Sequence, residues 1–297
     1  MTMRFLLTGK NGQVGFELQR ALAPLGEVVA VDHTECDLAD PGAVRRLVAA
    51  TRPRIIVNPA AYTAVDRAES ERDLAYAVNA AAPGVLGEEA RRLGALVIHY
   101  STDYIFDGAK DGWYTEEDAP NPQSTYGATK LAGERALRES GADSLIFRTS
   151  WVFGAHGGNF AKTMLRLSGE RDELKVVADQ RGAPTSASLL ADVTAQIVAR
   201  YLREGRDNFP FGVYHLVAGG ECTWHDYART VVSAALVAGK PVRTTPDRIL
   251  PITTADYPTA AKRPANSRLA TVKLQDTFGL VLPPWQDGLA HVLKQIL

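Results

Sequence analysis

Cysteine is almost missing from this chain. Cys36 and Cys222 are the only two in 297 residues, too few for a disulfide framework and too far apart for the short spacing of a metal knuckle. Both are expected to be buried free thiols in a reducing compartment. A surplus of either charge is missing too. Lys+Arg number 33 against 34 Asp+Glu, a formal net charge of -1, so nothing is available to neutralise a phosphate backbone and nucleic acid is not an expected partner. Any anionic ligand must be met by a local site. No apolar run reaches the ~18 to 20 residues of a membrane span, and Met3 leads into an apolar strand pattern without the layout of a signal peptide. A cytoplasmic protein with no membrane partner is the expectation. Internal repeats and low-complexity tracts are absent as well.

What the chain has is a globular composition, 45% hydrophobic and 23% charged, enough for one large α/β unit and a smaller lobe. It opens with Arg4-Phe5-Leu6-Leu7-Thr8, followed by Gly9-Lys10-Asn11-Gly12-Gln13-Val14-Gly15 and an amphipathic stretch through Leu18, Leu22 and Leu25. Strand, glycine-rich turn and helix in that order bring backbone N–H groups and a helix N-terminus up to a pyrophosphate. The spacing is G-x-x-G-x-x-G, and glycine triplets also build plain turns. Gly9, Gly12, Gln13, Val14 and Gly15 are therefore candidates that need support from the rest of the chain. A second strand, Glu27 to Val31, ends at Asp32, where an acidic side chain can bind the adenosine ribose hydroxyls. A solvated turn aspartate is the alternative.

The alternation continues. A helix from about Pro41 to Ala50 leads to Ile55-Ile56-Val57-Asn58, and an alanine-rich helix is expected from about Leu74 to Leu93. Leu96 to Tyr100 is the next strand, delivering Ser101, Thr102 and Asp103 at its carboxyl end. A helix over 124–139 and the strand Leu145 to Arg148 follow. Near-continuous apolar strands between helices predict an α/β fold, a Rossmann-like doubly wound parallel sheet with a smaller C-terminal substrate-binding lobe. From Thr149 the loops lengthen and carry aromatic and polar residues. Ser188 to Leu202 reads as a helix and Val213 to Val217 as a strand, both assigned back to the first unit. The expected division is a dinucleotide-binding domain of 1–149 plus about 187–217, and a substrate-binding domain of about 150–186 plus 218–297. Thr223 is the expected N-cap of a helix to Ala238, and Trp285 to Leu297 a packing helix.

The stretch with the most chemistry is Tyr126-Gly127-Ala128-Thr129-Lys130. On a helix, Tyr126 and Lys130 project from one face, a turn apart. A free phenol titrates near ~10, and an adjacent cation favouring the phenolate by ~2 to 3 units would make Tyr126 a usable acid or base. Thr102 can bond the same reacting oxygen. The pair alone is weak evidence, because a Tyr four residues before a Lys is common by chance.

Its company gives it weight. The Gly9 to Gly15 turn, Thr102 and Tyr126-x-x-x-Lys130 resemble the extended short-chain dehydrogenase/reductase family. More narrowly, Asn58 to Asp66, Ser101 to Gly108, Tyr126 to Glu134, Arg148 to Phe153 and Arg263-Pro264-x-Asn266-Ser267-Arg268-Leu269 are similar to the dTDP-4-dehydrorhamnose reductases, along the whole chain. The resemblance implies reduction of the C4 ketone of dTDP-4-dehydro-L-rhamnose with NADPH or NADH, the last step towards dTDP-L-rhamnose for cell-surface polysaccharide. It implies that Tyr126 protonates the developing alkoxide and that Lys130 holds the nicotinamide ribose and tunes Tyr126. Thr102, Asp103, Trp151, Asn159 and Arg263 would bind the substrate. Gly12, Gln13 and Val14 would cradle the pyrophosphate, Asp32 and His33 the adenosine ribose, Asp37 and Leu38 the adenine edge, and Ala61, Tyr62 and Thr63 the inner dinucleotide.

Two departures stand out. Pro59 removes an N–H donor beside the cofactor. Some family members bridge a dimer through a magnesium ion on three acidic side chains; Glu17 matches one, but Ser188 and Gln295 stand at the other two. A hard cation wants several charged oxygens, so no metal is expected, and the chain is expected as a monomer or homodimer. Two other readings share the fold. A sugar-nucleotide dehydratase or epimerase would keep the Tyr/Lys pair, although dehydratases follow Thr-Asp with Glu and position 104 is Tyr. A non-catalytic NAD(P)-binding regulatory subunit, like that of methionine adenosyltransferase, would keep the fold without the activity.

Overall fold

The computed structural model describes residues 3–297. In chain order its elements begin with β1 (Arg4–Thr8), α1 (Gln13–Leu22), β2 (Glu27–Val31), α2 (Pro41–Thr51) and β3 (Ile55–Asn58). Then come α3 (Val65–Ala68), α4 (Arg72–Tyr76), α5 (Ala82–Leu93), β4 (Leu96–Thr102), α6 (Thr125–Glu139) and β5 (Ser144–Thr149). The later half holds β6 (Val152–Phe153), α7 (Phe160–Glu170), β7 (Leu174–Val177), β8 (Arg181–Gly182), β9 (Thr185–Ser186) and α8 (Ala187–Glu204). It closes with β10 (Gly212–His215), β11 (Cys222–Thr223), α9 (Trp224–Val237), β12 (Ile249–Ile252), α10 (Val272–Phe278) and α11 (Trp285–Ile296).

Six strands form one sheet in the order β10-β5-β4-β3-β1-β2, and every pairing is parallel. The apolar runs explain this. β3, β4 and β5 are buried along their whole length, as strands covered by helices on both faces must be. One face packs Phe5, Leu7, Ile98 and Phe147 against α1 and α8; the other packs Leu6, Ile56, Val97 and Ile146 against α2 and α5. The chain runs from β1 outward to β2 and then back to β3 on the other side. That reversal opens a crevice at the carboxyl edge between β1 and β3, where ligands bind in such sheets.

The helix expected from Ser188 to Leu202 forms as α8 and packs on α1, and β10 joins the sheet beside β5. A second core gathers α7, α9 and α11 around Tyr227, Val231 and Trp285. The segment 272–282, placed with the second lobe in the expected division, sends Leu274, Phe278 and Leu282 into the first core instead. Both cysteines are buried and free. Thr223 caps α9 with a reciprocal Asp226 bond.

The alanine-rich run departs from one straight helix. Between α4 and α5 the backbone makes a π turn, Ala77–Ala81. Pro83 supplies the cause, because its ring cannot share space with the carbonyl four residues back, which is Asn79. That carbonyl faces α6 closely: a Cβ on Gly133 would lie 2.0 Å from Asn79 O. In an open helix Gly to Ala gains about 1 kcal/mol, whereas forced overpacking against backbone costs ~1 to 3 kcal/mol. Gly133→Ala is expected to lower stability by about 1 to 2 kcal/mol in urea unfolding; a gain would show that α6 and the π turn are not in contact.

Candidate active site

A cavity of about 580 Å³ occupies the crevice. Gly9, Gly12, Gln13, Val14 and Gly15 line it from β1 and α1, and Asp32, His33, Asp37 and Leu38 from the end of β2 onward. Ala61 and Thr63 follow β3, and Tyr126 and Lys130 come from α6. Two features fit this cavity to a dinucleotide. No side chain caps the N-terminus of α1, which leaves its first N–H groups to a phosphate. On the wall, the buried Ser101 Oγ and Thr149 Oγ1 have no hydrogen-bond partner among the described residues, polar atoms suited to a ligand. Gly157 and Gly158 face the turn from the second lobe. Gln13 Nε2 donates to Val152 O at 3.3 Å, tying α1 to that lobe.

Asp32 keeps its carboxylate at the cavity rim, bonded within its own turn and to the glycine-rich loop. It accepts from Asn11 Nδ2 at 2.6 Å, Thr34 N at 2.9 Å and Thr34 Oγ1 at 2.7 Å. The Thr34 bonds, with Lys10 and His33 nearby, hold its pKa below the usual carboxylate range.

At the head of α6, Ser124 Oγ accepts from Gly127 N at 3.2 Å, and Glu69 accepts from Thr125 N and Oγ1 at 2.8 Å each. These acceptors satisfy first-turn donors and put an acid at the positive end of the helix. Tyr126 meets the ring of Tyr104 edge-on, centroids 5.4 Å apart. Thr102 ends β4 and caps the 3₁₀ turn Asp103–Ile105, accepting from Tyr104 N at 3.2 Å and donating to Asp103 Oδ1 at 3.0 Å. Asp103 is buried with Oδ2 unpartnered among the described residues.

The expected ion–phenol partnership is not what the structure holds. Tyr126 and Lys130 do share a helix face, but Lys130 is 2% exposed and its Nζ donates to Tyr100 O at 2.6 Å and lies 3.3 Å from His99 Nε2. An ammonium withdrawn from water takes the acceptors its tether reaches, and the sheet offers them first. Burial lowers Lys130 to about 8, with Glu134 opposing. Tyr126 is pushed above its ordinary value by burial, opposed by the Thr102 hydroxyl and reinforced by Asp103 and Tyr104. It keeps its proton at neutral pH.

Other expected residues are placed differently. Tyr62 is not on the cavity wall: its hydroxyl donates to Glu71 Oε2 at 2.5 Å, and its backbone is clamped by Asn79, which takes Tyr62 N at 2.8 Å and donates to Tyr62 O at 3.1 Å. Asn159 caps α7, accepting from Lys162 N at 3.1 Å, while its amide donates to Gln13 Oε1 at 3.0 Å and Gly154 O at 2.8 Å. Those bonds use the whole amide. Trp151 adopts φ 50 and stacks on Trp224 at 3.7 Å. Left-handed backbone in a tryptophan is strained. Arg263 lines a second cleft of about 630 Å³, its guanidinium 2.6 Å from Asp66 Oδ2 and over the Tyr104 ring. Arg268 is spent on Glu221 and Asn266. Sequence reasoning placed Ser101 at the ligand-binding edge without giving it a role and missed Asn79 and Thr149 as site residues; only Pro83 hinted at Asn79.

The magnesium set does not fit. Glu17 pairs with Arg20, Ser188 bonds Ser186, and Gln295 bonds the His291 carbonyl. No group of three His, Cys, Asp or Glu placed to hold a metal occurs among the described residues.

Asp103 generates a test. Burial pushes it from the ordinary 3.8 up to about 6, a shift on the order of 3 kcal/mol. Its folded pKa lies above the unfolded one, so the stability it contributes is full below the unfolded pKa and lost as pH rises through about 6. Asp103→Asn cannot ionise. Its stability relative to wild type is expected to climb between about pH 4 and 6 and then level off, by up to ~3 kcal/mol. Urea unfolding across that range checks it; a pH-independent difference rejects the buried-charge account.

Comparison with known proteins agrees with this geometry. The RmlD substrate binding domain model matches residues 3–297. The dTDP-4-dehydrorhamnose reductase of Escherichia coli K12 is 52% identical over 99% of this chain and 98% of that protein. The crystal structure of the Clostridium acetobutylicum dTDP-4-dehydrorhamnose reductase superposes with a TM-score of 0.88 at 37% identity, covering 99% of each chain. That of the Bacillus anthracis enzyme in complex with NADP has a TM-score of 0.88 at 36% identity, covering 99% of this chain and 100% of that one. With a family model matched along the described chain and half its residues shared with a reductase of the same length, the chain belongs to the RmlD family of dTDP-4-dehydrorhamnose reductases.

Proposed function

We infer that this chain reduces the C4 ketone of dTDP-4-dehydro-β-L-rhamnose to dTDP-L-rhamnose, with NADPH or NADH as reductant, as the last step of dTDP-L-rhamnose synthesis. The observation that carries the reading is the meeting, beside a cavity fitted to a dinucleotide, of a proton-holding phenol, a threonine hydroxyl and a buried carboxylate with one free oxygen. The E. coli relative bears the reductase name and the B. anthracis relative holds NADP. No helix of the described residues is long and apolar enough to cross a membrane; the chain works in the cytoplasm on a small nucleotide-sugar.

The nicotinamide, when bound, supplies hydride to C4. The chain's residues do the rest. The first-turn N–H groups of α1 and Gln13 bind the pyrophosphate, and Asp32 with His33, Asp37 and Leu38 holds the adenosine end. Tyr126 Oη stands protonated and gives its proton to O4 as negative charge develops there. Thr102 Oγ1 shares that oxygen, and Asp103 Oδ2 accepts from a sugar hydroxyl and so fixes the ring. Trp151, stacked on Trp224, presents an aromatic wall to the deoxyhexose. Arg263, held by Asp66, stands at the second cleft for the diphosphate. These roles rest on a dinucleotide-binding domain comprising the sheet and its helices and a substrate-binding lobe around α7, α9 and α11.

Three outcomes test this. Tyr126→Phe keeps the ring and removes the acid, so kcat for NAD(P)H oxidation with the ketosugar is expected to fall by ~10² to 10⁴ with cofactor affinity unchanged; a variant keeping more than about a tenth of wild-type kcat rejects Tyr126 as proton donor. Arg263→Ala is expected to raise the KM for substrate and leave that for cofactor alone. Asp32 already spends its oxygens on Asn11 and Thr34 with Lys10 alongside, so both cofactors are accepted, with kcat/KM values within ~10³ of each other.

A further inference from the structure

The mechanism leaves one buried polar chain unused. Thr8 Oγ1 lies 2.6 Å from Asn58 Oδ1, Asn58 Nδ2 lies 3.1 Å from His99 Nδ1, and His99 Nε2 lies 3.3 Å from Lys130 Nζ. Thr8, Asn58, His99 and Lys130 are each at most 2% exposed. The chain crosses β1, β3 and β4 and ends at α6, under the floor of the cavity. His99 is the one side chain bonded to Lys130; the other acceptor is the Tyr100 carbonyl. An ammonium has three protons, so with two engaged here the third is left for the cavity that Lys130 lines.

The proton count along this chain is restrictive. A charged Lys130 can only donate to His99, so Nε2 must be bare and Nδ1 must carry the ring proton. Nδ1–H then bonds a carbonyl of Asn58, whose backbone oxygen also faces the ring, and where it takes the side-chain oxygen the Asn58 amide turns its NH₂ to Thr8 Oγ1, which accepts. With the amide the other way round, as drawn by the Thr8 bond to Asn58 Oδ1, Asn58 donates to Nδ1. The ring then presents Nε2–H to Lys130, which must be neutral to accept it. One amide turn thus separates two complete hydrogen-bond patterns that differ by one proton on Lys130. Burial holds His99 far below its ordinary range, which leaves the imidazole neutral in both.

We propose that His99 is a positioning residue of the reduction, its tautomer coupled through Asn58 and Thr8 to the charge of Lys130 and so to the third N–H that Lys130 offers the cofactor cavity. The proposal rests on the reductase reading for its role, but not for its test. The titratable groups around Lys130 are Glu134 on its own helix, itself bonded to Arg148, His99 on β4, and Tyr126 one turn away with Asp103 and Tyr104 beyond it. Of these only His99 bonds Nζ.

The first test needs no substrate. ¹⁵N spectra of histidine-labelled wild-type protein, with His99 assigned by its loss in His99→Gln, are expected to show the Nδ1–H tautomer at about pH 6 and a change to Nε2–H through the Lys130 transition near about pH 8. A single tautomer from about pH 6 to pH 10 overturns the coupling whatever the enzyme's activity. The second test is kinetic. His99→Phe removes the acceptor and is expected to raise the KM for NAD(P)H by roughly 10-fold or more and to move the alkaline limb of the kcat profile to lower pH, because the buried cation has lost a bond. His99→Gln, whose amide oxygen reaches the Nε2 position, is expected to recover most of both. Should His99→Phe fail to fold, the tautomer titration decides alone. A folded His99→Phe with wild-type KM and pH profile overturns the proposal, and so does a His99→Gln no better than His99→Phe.

Discussion

Everything at the site depends on how closely α6 lies against the carboxyl end of β4. Gly127 permits that approach, since a Cβ there would fall 2.1 Å from Tyr104 O, and Gly133 permits a matching contact with the π turn, where a Cβ would meet Asn79 O. With those backbones in contact, the α6 face that carries Tyr126 and Lys130 lies against the sheet edge, and Lys130 reaches the Tyr100 carbonyl and His99 there. Asn79 extends the same constraint outward, since its side chain holds the backbone of Tyr62 and also donates to Thr129 Oγ1 at 3.2 Å. The loop after β3 and the helix that carries Tyr126 are thus fixed to one buried amide.

The fold was legible because its signal is coarse. Apolar strands of four to seven residues between amphipathic helices admit few arrangements, and Thr8, Asp32 and Thr102 end their strands or follow them where the pattern put them. The site was legible as a set of positions and less so as a set of bonds. Lys130 stands on the predicted face, but its partner is chosen by which acceptor lies within reach of a buried Nζ, and Tyr100 O belongs to a neighbouring strand. Tyr62 and Asn159 show the same limit: each was singled out as a site candidate, while the partners that engage their side chains are Glu71, to which the sequence reading gave no role, and Gln13, far away in the chain. The π turn was the one backbone feature with an overlooked cue, Pro83 within an otherwise helical run.

The second lobe is built on a different principle. Its strands are pairs of two to four residues, too short to be seen as strands in sequence, and what organises them is aromatic packing. Trp151, Trp224, Phe160 and Tyr227 form one connected stack, and Trp224 Nε1 donates to Gln180 Oε1 at 3.1 Å. The left-handed backbone at Trp151 is held by that stack and by Thr185 N, which donates to Trp151 O at 3.2 Å. Strain of ~1 to 3 kcal/mol persists only where the surroundings over-determine it. Here it goes with an indole stacked on Trp224 just past the end of β5.

The protonation state of the resting site follows from Asp103 and Tyr126. A phenol drawn down towards neutrality would be part-ionised at rest and ready to take a proton, the state an alcohol oxidation needs. Tyr126 is pushed the other way, by burial and by the nearby Asp103. Asp103 itself is raised only to about 6, so at neutral pH it is mostly charged while Tyr126 is not. A carboxylate beside a protonated phenol raises the cost of making phenolate until the substrate oxygen becomes the stronger base. That happens only when C4 is reduced and charge appears on O4. With Tyr126 as the proposed proton donor, the same pair that makes it slow to ionise at rest ties its proton release to the step that needs it, and leaves the resting site in the protonation state from which ketone reduction starts.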